Sequence, residues 1–230
     1  MNSKKGKEDV VRLAHGAGGI LQGQLIEFIT KTIPIKKVNQ GIGVEELDDG
    51  ATIPLKNYGK EIVVSADGHT VSPLFFPGGD LGKLSVCGTI NDLLMMGADP
   101  LAMTSIVIIE EGFPFSKLKK IMESFNKTAE RAGIGIIAGD SKVMPRGTLS
   151  EIITATTGIG LKDKEIHIED KNLKPGDKIL ITGSIGDHGT ALMASREGLG
   201  ISTELKSDVD LLLEIFQKIR PEITQNLIHA

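Results

Sequence analysis

The sequence predicts a mixed α/β and α+β protein with two domains, at 1–163 and 164–230. Two observations lead to this prediction. Through most of the first part, segments rich in β-branched residues alternate with amphipathic segments, as strands alternate with helices. A charged connector, LKDKEIHIEDKNL, then separates this part from a turn containing proline and glycine at 174–177 and from a shorter set of elements.

The elements of the first domain follow one another with short connections. One helix follows the glycine-rich turn LAHGAGG and ends before Pro34, because proline cannot continue a helix. A second helix begins at Asp80, whose side chain suits a helix N-terminus. The remaining predictions are a helix at 116–132 and strands at 61–66, 101–109, 134–138 and 151–160.

The second domain has fewer elements. The predictions are a strand at 178–182, a GSIGDHG loop at 183–189, a helix at 190–197 and a last helix from near Asp208 to Pro221. One strand is too little for a sheet with its own core. We therefore expect the chain to be cut inside a domain.

Composition and charge exclude several classes of protein. The formal net charge is −4 and 3% of the residues are aromatic, which disfavours a nucleic-acid partner. The longest apolar run, at 106–109, is too short to cross a bilayer, and the charged start MNSKKGKEDVV is unlike a signal peptide. We expect a cytoplasmic protein without a membrane partner. Cys87 is the sole cysteine and is expected to be a buried apolar side chain.

Four aspartates are candidate metal ligands. Asp92 lies on a predicted helix face that otherwise carries small residues at 82, 85 and 89, and we expect this face to hold a ligand. Asp49, Asp67 and Asp140 follow predicted strands or turns. If the four converge, their repulsion requires a cation, and oxygen ligands favour Mg²⁺ shared with a substrate phosphate. Taken singly, each aspartate has an ordinary explanation in a turn or at a strand end.

Two glycine loops are candidate phosphate sites, because backbone N–H groups at a glycine turn can approach a phosphate closely. HGAGG at 15–19 leads into a helix, and GSIGDHG lies between a predicted strand and a predicted helix. Neither has the spacing of a Walker loop or a GxGxxG fingerprint, and an ordinary tight turn is the simpler explanation of each. Lys142 and Lys83 would place a positive charge against a phosphate, although a surface ion pair explains Lys83 equally well.

Several motifs together resemble one family. LAHGAGG, LDDGA, SADGHTVSPLFFPGGDLGKLSVCGTINDLLMMGADPLAM, GDSKVMPRG and TTGIG resemble the HypE family of hydrogenase maturation proteins. That family belongs to the ATP-binding superfamily of aminoimidazole ribonucleotide synthetase, selenophosphate synthetase and thiamine-monophosphate kinase. The resemblance implies a first domain that dimerises through its sheet into a composite β-barrel, with ATP sites at the interface, and a second α+β domain beside it.

The resemblance also implies roles for individual residues. Mg²⁺ and the triphosphate would be held by Asp49, Asp67, Asp92 and Asp140. Lys142 and Asp140 would be catalytic, with Lys142 facing the reacting group. The HGAGG loop would close over the phosphates. The residues that would contact the nucleotide are His15, Gly16, Gly18, Gly19, Lys83 and Asn91.

In the family that the chain resembles, HypF donates a carbamoyl group to a C-terminal cysteine. ATP-dependent dehydration then turns the thiocarboxamide into a thiocyanate, and the cyanide passes to iron on a HypC and HypD complex. The sequence ends at Ala230 without the Pro-Arg-x-Cys tail of that family, so we expect a fragment that binds nucleotide and dimerises without completing turnover.

Two other hypotheses remain open. The chain could be another kinase or synthetase of the superfamily, such as a thiamine-monophosphate kinase or a selenophosphate synthetase. The second of these is disfavoured because 1–40 contain no cysteine. It could also be a non-catalytic module that dimerises and docks maturation partners.

Overall fold

The computed structural model describes residues 10–196 and 204–226. Its centre is a five-stranded sheet with the order β1-β2-β7-β5-β6, in which only β5 and β6 are parallel neighbours. β3 and β4 form a separate two-stranded sheet. The strands are β1 (Ala51–Leu55), β2 (Lys60–His69), β3 (Phe75–Phe76), β4 (Gly79–Asp80), β5 (Asp99–Glu110), β6 (Gly135–Met144) and β7 (Ile152–Asp163).

Two helices cover one face of the five-stranded sheet. The α-helices of the described residues are α1 (Gly19–Lys31), α2 (Leu81–Met95), α3 (Phe115–Arg131), α4 (Asp187–Ser195) and α5 (Leu213–Asn226). Short 3-10 helices lie at Leu13–Gly16 and Asp170–Asn172. The two helices that cover the sheet are α2 and α3. α2 contacts β2, β5 and β7, and α3 contacts β6. We call the face under α2 and α3 the covered face, and the opposite side the open face. No helix in the described part of the chain has the length and apolar character that a membrane span needs.

The two faces differ in burial along β7. Buried and partly exposed residues alternate along the whole strand, because successive side chains of a strand point to opposite faces. Thr154 and Thr156 are buried on the covered face, whereas Ala155 and Thr157 are partly exposed on the open face. The sheet therefore has a core on one side only within a single copy of the chain.

α2 is the central helix of the fold. As predicted, Asp80 caps its N-terminus: Oδ1 accepts hydrogen bonds from the backbone N of Gly82 at 2.7 Å and of Lys83 at 3.1 Å. A Cβ at Gly82 would lie 2.1 Å from the carbonyl oxygen of Ile121, so glycine lets α2 and α3 approach closely. The core around α2 includes Val63, Val86, Ile90, Leu93, Leu94, Met103 and Phe125.

The predicted elements of the first domain are confirmed. The four strands correspond to β2, β5, β6 and β7, and the three helices to α1, α2 and α3. β1 was not predicted because it contains Pro54, which is unusual inside a strand. Its position at the edge of the sheet explains the exception, since an edge strand tolerates a residue without an N–H group.

The predictions for the second domain are less accurate. The predicted strand at 178–182 is wrong: the segment is irregular, and Leu180 is 92% exposed. No strand in the described residues lies beside this segment, so the ladder partners that a strand needs are missing there. α4 begins at Asp187, before the predicted 190, and residue 197 lies outside the described residues. α5 begins at Leu213 instead of near 208. The division at residue 163 stays a prediction.

Candidate functional site

Two of the other predicted metal ligands, Asp49 and Asp67, lie within electrostatic range of Asp92. Asp67 is on β2, Asp92 is on α2, and Asp49 precedes β1. Ser65 donates a hydrogen bond of 2.7 Å from Oγ to Oδ2 of Asp92. Burial raises the pKa of Asp92 to about 6; the hydrogen bond from Ser65 opposes this rise, and the charges of Asp49 and Asp67 add to it. The three carboxylates therefore repel one another when ionised, and a bound cation would relieve this repulsion.

The small polar face of α2 is occupied by the sheet. Ser85 Oγ lies 2.6 Å from Thr154 Oγ1, and Thr89 Oγ1 forms a hydrogen bond with Thr156 Oγ1. All four side chains are buried. The expectation that this face holds a ligand is therefore wrong: positions 85 and 89 contact the sheet, and position 82 packs against α3. The small side chains allow α2 to lie close to β7, and paired hydroxyls satisfy each other there.

His69 and Gly88 extend this group, and the sequence analysis assigned neither of them a role. His69 Nε2 lies 3.0 Å from Thr156 Oγ1 and 3.5 Å from Asp67 Oδ2. Burial lowers the pKa of His69, and the charge of Asp67 opposes this change. A Cβ at Gly88 would lie 2.9 Å from both Asp67 Oδ2 and His69 Cε1. Ser65, Asp67 and His69 are every second residue of β2. Since side chains at this spacing point to the same face of a strand, the sequence could have predicted that the three share one face.

Asp140 and Lys142 lie on the open face of β6. Asp140 is opposite Ile106 on β5, which is opposite Ala155 on β7, which in turn is opposite Gly68 on β2. Asp140 is three strand spacings from β2, a distance of about 14 Å. Asp67 is opposite Thr156 and belongs to the covered face.

A single copy therefore does not bring the four aspartates together. In the ranges that the structure describes, no group of three or more His, Cys, Asp or Glu side chains is arranged to hold a metal ion. The set of Asp49, Asp67 and Asp92 is close enough for electrostatic interaction, but Asp140 is distant from it.

The HGAGG loop lies at the surface. His15 and Gly16 end a 3-10 helix, Gly18 precedes α1 with φ of +86°, and Gly19 begins α1. His15 Nδ1 accepts a hydrogen bond of 3.0 Å from the backbone N of Arg12. A Cβ at Gly16 or Gly19 would meet no atom within 4 Å. The proposed closure of this loop over phosphates stays a prediction.

Lys83 and Asn91 contact the segment that leads into α5. Asn91 donates a hydrogen bond to the carbonyl oxygen of Asp210 and accepts one from the backbone N of Leu212, both at 3.0 Å. Lys83 Nζ lies 3.3 Å from the carbonyl oxygen of Gly78 and 3.8 Å from Asp210 Oδ1. These contacts attach residues 210–212 to α2. A nucleotide contact by either residue stays a prediction.

Cys87 and the GSIGDHG loop have structural contacts. Cys87 is 1% exposed, as expected, and burial raises the pKa of its thiol to about 12. In the loop, Ser184 Oγ donates a hydrogen bond of 2.9 Å to Asp187 Oδ2. His188 Nδ1 lies 2.9 Å from Ser207 Oγ, and its ring packs edge-on against Phe76. These bonds fix the start of α4 and the segment around Ser207.

The sequence matches two domain models of one protein family. Residues 47–162 match the N-terminal domain of AIR synthase related proteins, and 174–230 match the C-terminal domain. The chain belongs to the AIR synthase related protein family. It is 48% identical over 209 residues to a putative hydrogenase expression/formation protein of Methanocaldococcus jannaschii, with 90% of this chain and 61% of the relative covered. It is 42% identical to the carbamoyl dehydratase HypE of Cupriavidus necator, with 90% and 57% covered.

The similar solved structures are also of HypE proteins. The chain is similar to a chain in a crystal structure of a HypE-HypF complex, with a TM-score of 0.75, 41% identity, and 89% of this chain and 62% of that chain covered. It is similar to HypE in complex with ATP, with a TM-score of 0.66, 36% identity, and 91% and 60% covered. The resemblance to HypE that the motifs predict is confirmed. The chain spans about three fifths of the length of these relatives.

Proposed function

We propose that the chain binds ATP with Mg²⁺ at Asp49, Asp67 and Asp92 and contributes the nucleotide site of a carbamoyl dehydratase. The observation that supports this most strongly is that Asp92 lies within electrostatic range of both Asp49 and Asp67, since a cation would offset the repulsion between Asp92 and these two carboxylates. Two relatives add support: one is named carbamoyl dehydratase HypE, and a HypE structure is in complex with ATP.

The carboxylate oxygens fit Mg²⁺ better than a softer metal. Mg²⁺ prefers oxygen ligands, and it commonly retains waters and shares its shell with phosphates. Bound there, it would neutralise charge on both the carboxylates and the triphosphate. The partly buried hydrogen bond from Ser65 holds Asp92 in place before the ligand arrives, which reduces the cost of ordering this side chain.

The reaction that we propose is the dehydration of an S-carboxamide to a thiocyanate. The carboxamide oxygen takes the γ-phosphoryl group of ATP, and ADP leaves. The carbon–oxygen bond then breaks with loss of both N–H protons, so that phosphate carries away the oxygen and a carbon–nitrogen triple bond forms. Phosphorylation is needed because an amide oxygen is a poor leaving group, and positioning and charge neutralisation dominate such transfers. Lys142 would stabilise the developing negative charge.

The acceptor thiol in this proposal is not that of Cys87. Cys87 is the one cysteine among the 230 residues, and it is buried with a raised pKa. It therefore cannot present a thiolate to a carbamoyl donor. HypF is the proposed donor, because a HypE-HypF complex is among the similar structures. A HypC and HypD complex as recipient of the cyanide rests on the family resemblance.

We also propose that a second copy completes the site. Two sheet edges support this. Within the described residues, β6 is the edge strand at one end of the sheet. At the opposite end, β1 pairs only with residues 60–64 of β2, so residues 65–69 of β2 have no strand on that side. Pairing β6 of one copy with this edge in the other would close the two sheets into a barrel and place the strand that carries Asp140 and Lys142 beside the strand that carries Asp67.

The exposed apolar side chains of the sheet support the same interface. Ile106 on the open face is 42% exposed, and Ile137 on the edge strand β6 is 64% exposed. Exposed apolar groups of this kind favour association, because burying them removes apolar surface from water. Sheet edges also favour pairing with another strand unless they are protected.

Calorimetric titration with Mg·ATP tests the nucleotide site. We expect the wild-type chain to bind Mg·ATP and Asp92→Asn to bind at least about tenfold more weakly, because one charged ligand is lost. Ser85→Ala is the matched control: it lies on the same helix face, contacts Thr154, and should bind like wild type. Equal binding by wild type and Asp92→Asn would contradict the proposed site.

The chemical step has a separate test. A peptide that ends in an S-carbamoyl cysteine is supplied together with Mg·ATP, and ADP and thiocyanate are measured. We expect the two products in equal amounts and neither product with Lys142→Met. ADP without thiocyanate would identify an ATPase or kinase instead.

A further inference from the structure

The strand β6 contains one residue more than the stretch of β5 beside it. Ile136 lies opposite Met103. The next pair is Ala138 and Thr104, so Ile137 has no partner on β5. This arrangement is a β-bulge, in which two residues of one strand oppose one residue of its neighbour. Beyond the bulge, every side chain of β6 points to the opposite face from the one that regular alternation would give it.

The bulge decides which face of the sheet carries Lys142. In the structure, Lys142 lies opposite Ile108, whose side chain belongs to the open face. Without the bulge, Lys142 would lie opposite Ile109, which pairs with the buried Ile152 on the covered face. One extra residue earlier in the strand therefore moves this lysine from the covered face to the open face.

Contacts at both ends of β6 keep the extra residue in the strand. Before the bulge, Ile134 is buried, and its backbone N donates a hydrogen bond of 3.1 Å to the carbonyl oxygen of Ala129. After the bulge, the carbonyl oxygen of Met144 accepts a hydrogen bond of 2.9 Å from the backbone N of Glu111. Neither end can slide without breaking a hydrogen bond. Because β6 is the edge strand among the described residues, the bulge disturbs pairing on one side only.

Gly139 lets β6 approach β5 closely just after the bulge. A Cβ at this position would lie 2.6 Å from the carbonyl oxygen of Ser105, which is opposite Gly139 on β5. This oxygen belongs to the backbone, so it cannot move aside as the end of a flexible side chain can. In a regular register, residue 139 would lie opposite Ile106 on the open face instead.

We propose that Gly139 is a positioning residue for Lys142. It permits the bulged register, and this register places the lysine on the open face, where the second copy can meet it. A side chain at 139 would favour the regular register, which turns Lys142 to the covered face. This inference rests on the proposed function, because it takes Lys142 as the group that stabilises the developing charge.

Formation of thiocyanate from the S-carbamoyl cysteine peptide and Mg·ATP tests this role. We expect Gly139→Ala to lower the rate at least about 100-fold, because the displaced lysine no longer stabilises the developing charge. Gly135→Ala is the matched control, since it makes the same change on the same strand before the bulge. An added Cβ there would lie 3.6 Å from Ile137 Cγ2, an ordinary contact distance, and the variant should react like wild type.

Deletion of Ile137 provides a rescue that a merely structural role of Gly139 would not predict. Without the extra residue, the pairing from Ala138 to Met144 needs no bulge, so we expect the deletion alone to react like wild type. In the Gly139→Ala background, the deletion should remove the close approach and restore most of the rate, because regular strands leave room for a Cβ at each position.

Cross-strand nuclear Overhauser effects measure the register itself. In wild type and in the deletion variant, Asp140 should be the residue opposite Ile106. In Gly139→Ala, residue 139 should take that place. This measurement does not depend on activity.

The outcomes separate the two proposals. If wild type forms no thiocyanate, the proposed function fails and this inference fails with it. If wild type is active and Gly139→Ala is equally active, or loses activity with Asp140 still opposite Ile106, only the role of Gly139 is overturned. If Gly139→Ala does not fold, the deletion variant decides: activity with Asp140 opposite Ile106 supports the inference, and inactivity overturns it. Loss of activity in Gly139→Ala, a shifted register and recovery on deletion together support it.

Discussion

The covered and open faces of the central sheet are formed by alternate residues of the same strands, but they differ in burial and chemistry. On the covered face, Ser65, Asp67 and His69 lie under α2 among hydroxyl groups of β7. On the open face, Ile106 is exposed beside Asp140. The covered face thus holds its polar groups in place within one copy, whereas the open face exposes apolar groups that a second copy would bury.

The comparison shows why one copy contains only part of the proposed site. Asp49, Asp67 and Asp92 are neighbours in a single chain, but Asp140 and Lys142 are three strands away on the other face. A site that uses both groups therefore requires contact between two copies.

A charge on the open face should have the largest effect. We expect Ile106→Asp to weaken self-association at least about 100-fold, because it places an unpaired charge in the proposed interface. Analytical ultracentrifugation measures the dissociation constant. Phe115→Asp is the matched control, since Phe115 is an exposed apolar residue at the start of α3, away from the open face. Equal association of Ile106→Asp and wild type would place the interface elsewhere.

The next effect concerns Asp92 on the covered side. Its folded pKa of about 6 lies above the ordinary value of 3.8, so the native state binds more protons than the unfolded state between these values. The free energy of unfolding should therefore fall as pH rises from 4 to 6 in the absence of a divalent cation. Asp92→Asn removes the free-energy cost of keeping an ionised carboxylate partly buried. At pH 8 the variant should be more stable than wild type by about 1 to 2 kcal/mol, allowing for partial screening by solvent.

Urea unfolding at pH 4 and pH 8 checks the sign of this effect. The difference between the two proteins should be small at pH 4 and favour Asp92→Asn at pH 8. Added Mg²⁺ should stabilise wild type and leave Asp92→Asn nearly unchanged. A variant that is less stable than wild type at pH 8 without Mg²⁺ would show that Asp92 is not under electrostatic strain.

A matched pair of threonine substitutions gives the smallest effect. Thr154→Val on the covered face removes the partner of Ser85 and should lower the free energy of unfolding by about 1 kcal/mol. Thr157→Val lies on the open face of the same strand and should change stability by less than about 0.5 kcal/mol. Chemical unfolding measures both. Equal losses would show that the two faces are not distinguished by their hydrogen bonds.

The sequence predicted much of the fold because its first domain has clear local signals. Strands β2, β5, β6 and β7 are runs of β-branched residues, and Asp80 is a strong helix cap. Local signals failed where long-range contacts decide the conformation. The apolar segment 178–182 has strand composition, but it has no neighbouring strand in the described residues. Asn91 forms hydrogen bonds with the backbone of Asp210 and Leu212, which lie 119 and 121 residues away in sequence.

The candidate site was predictable in part for a similar reason. Helical spacing singled out Asp92, and the position after a predicted strand singled out Asp67; the structure places the two within electrostatic range of each other. Which face of the sheet each residue occupies depends on strand register, and register is set by pairing across the sheet. The sequence alone therefore did not reveal that Asp140 lies on the opposite face from Asp67, or that His69 faces Asp67.

The most direct measurement uses heterodimers of two inactive variants. Asp67→Asn and Asp140→Asn are co-expressed with different tags, and the mixed species is purified and titrated with Mg·ATP. If each site joins Asp67 of one copy with Asp140 of the other, every heterodimer contains one intact site, and we expect one molecule of Mg·ATP to bind with wild-type affinity. Binding no stronger than that of the two variants alone would contradict a site shared between copies.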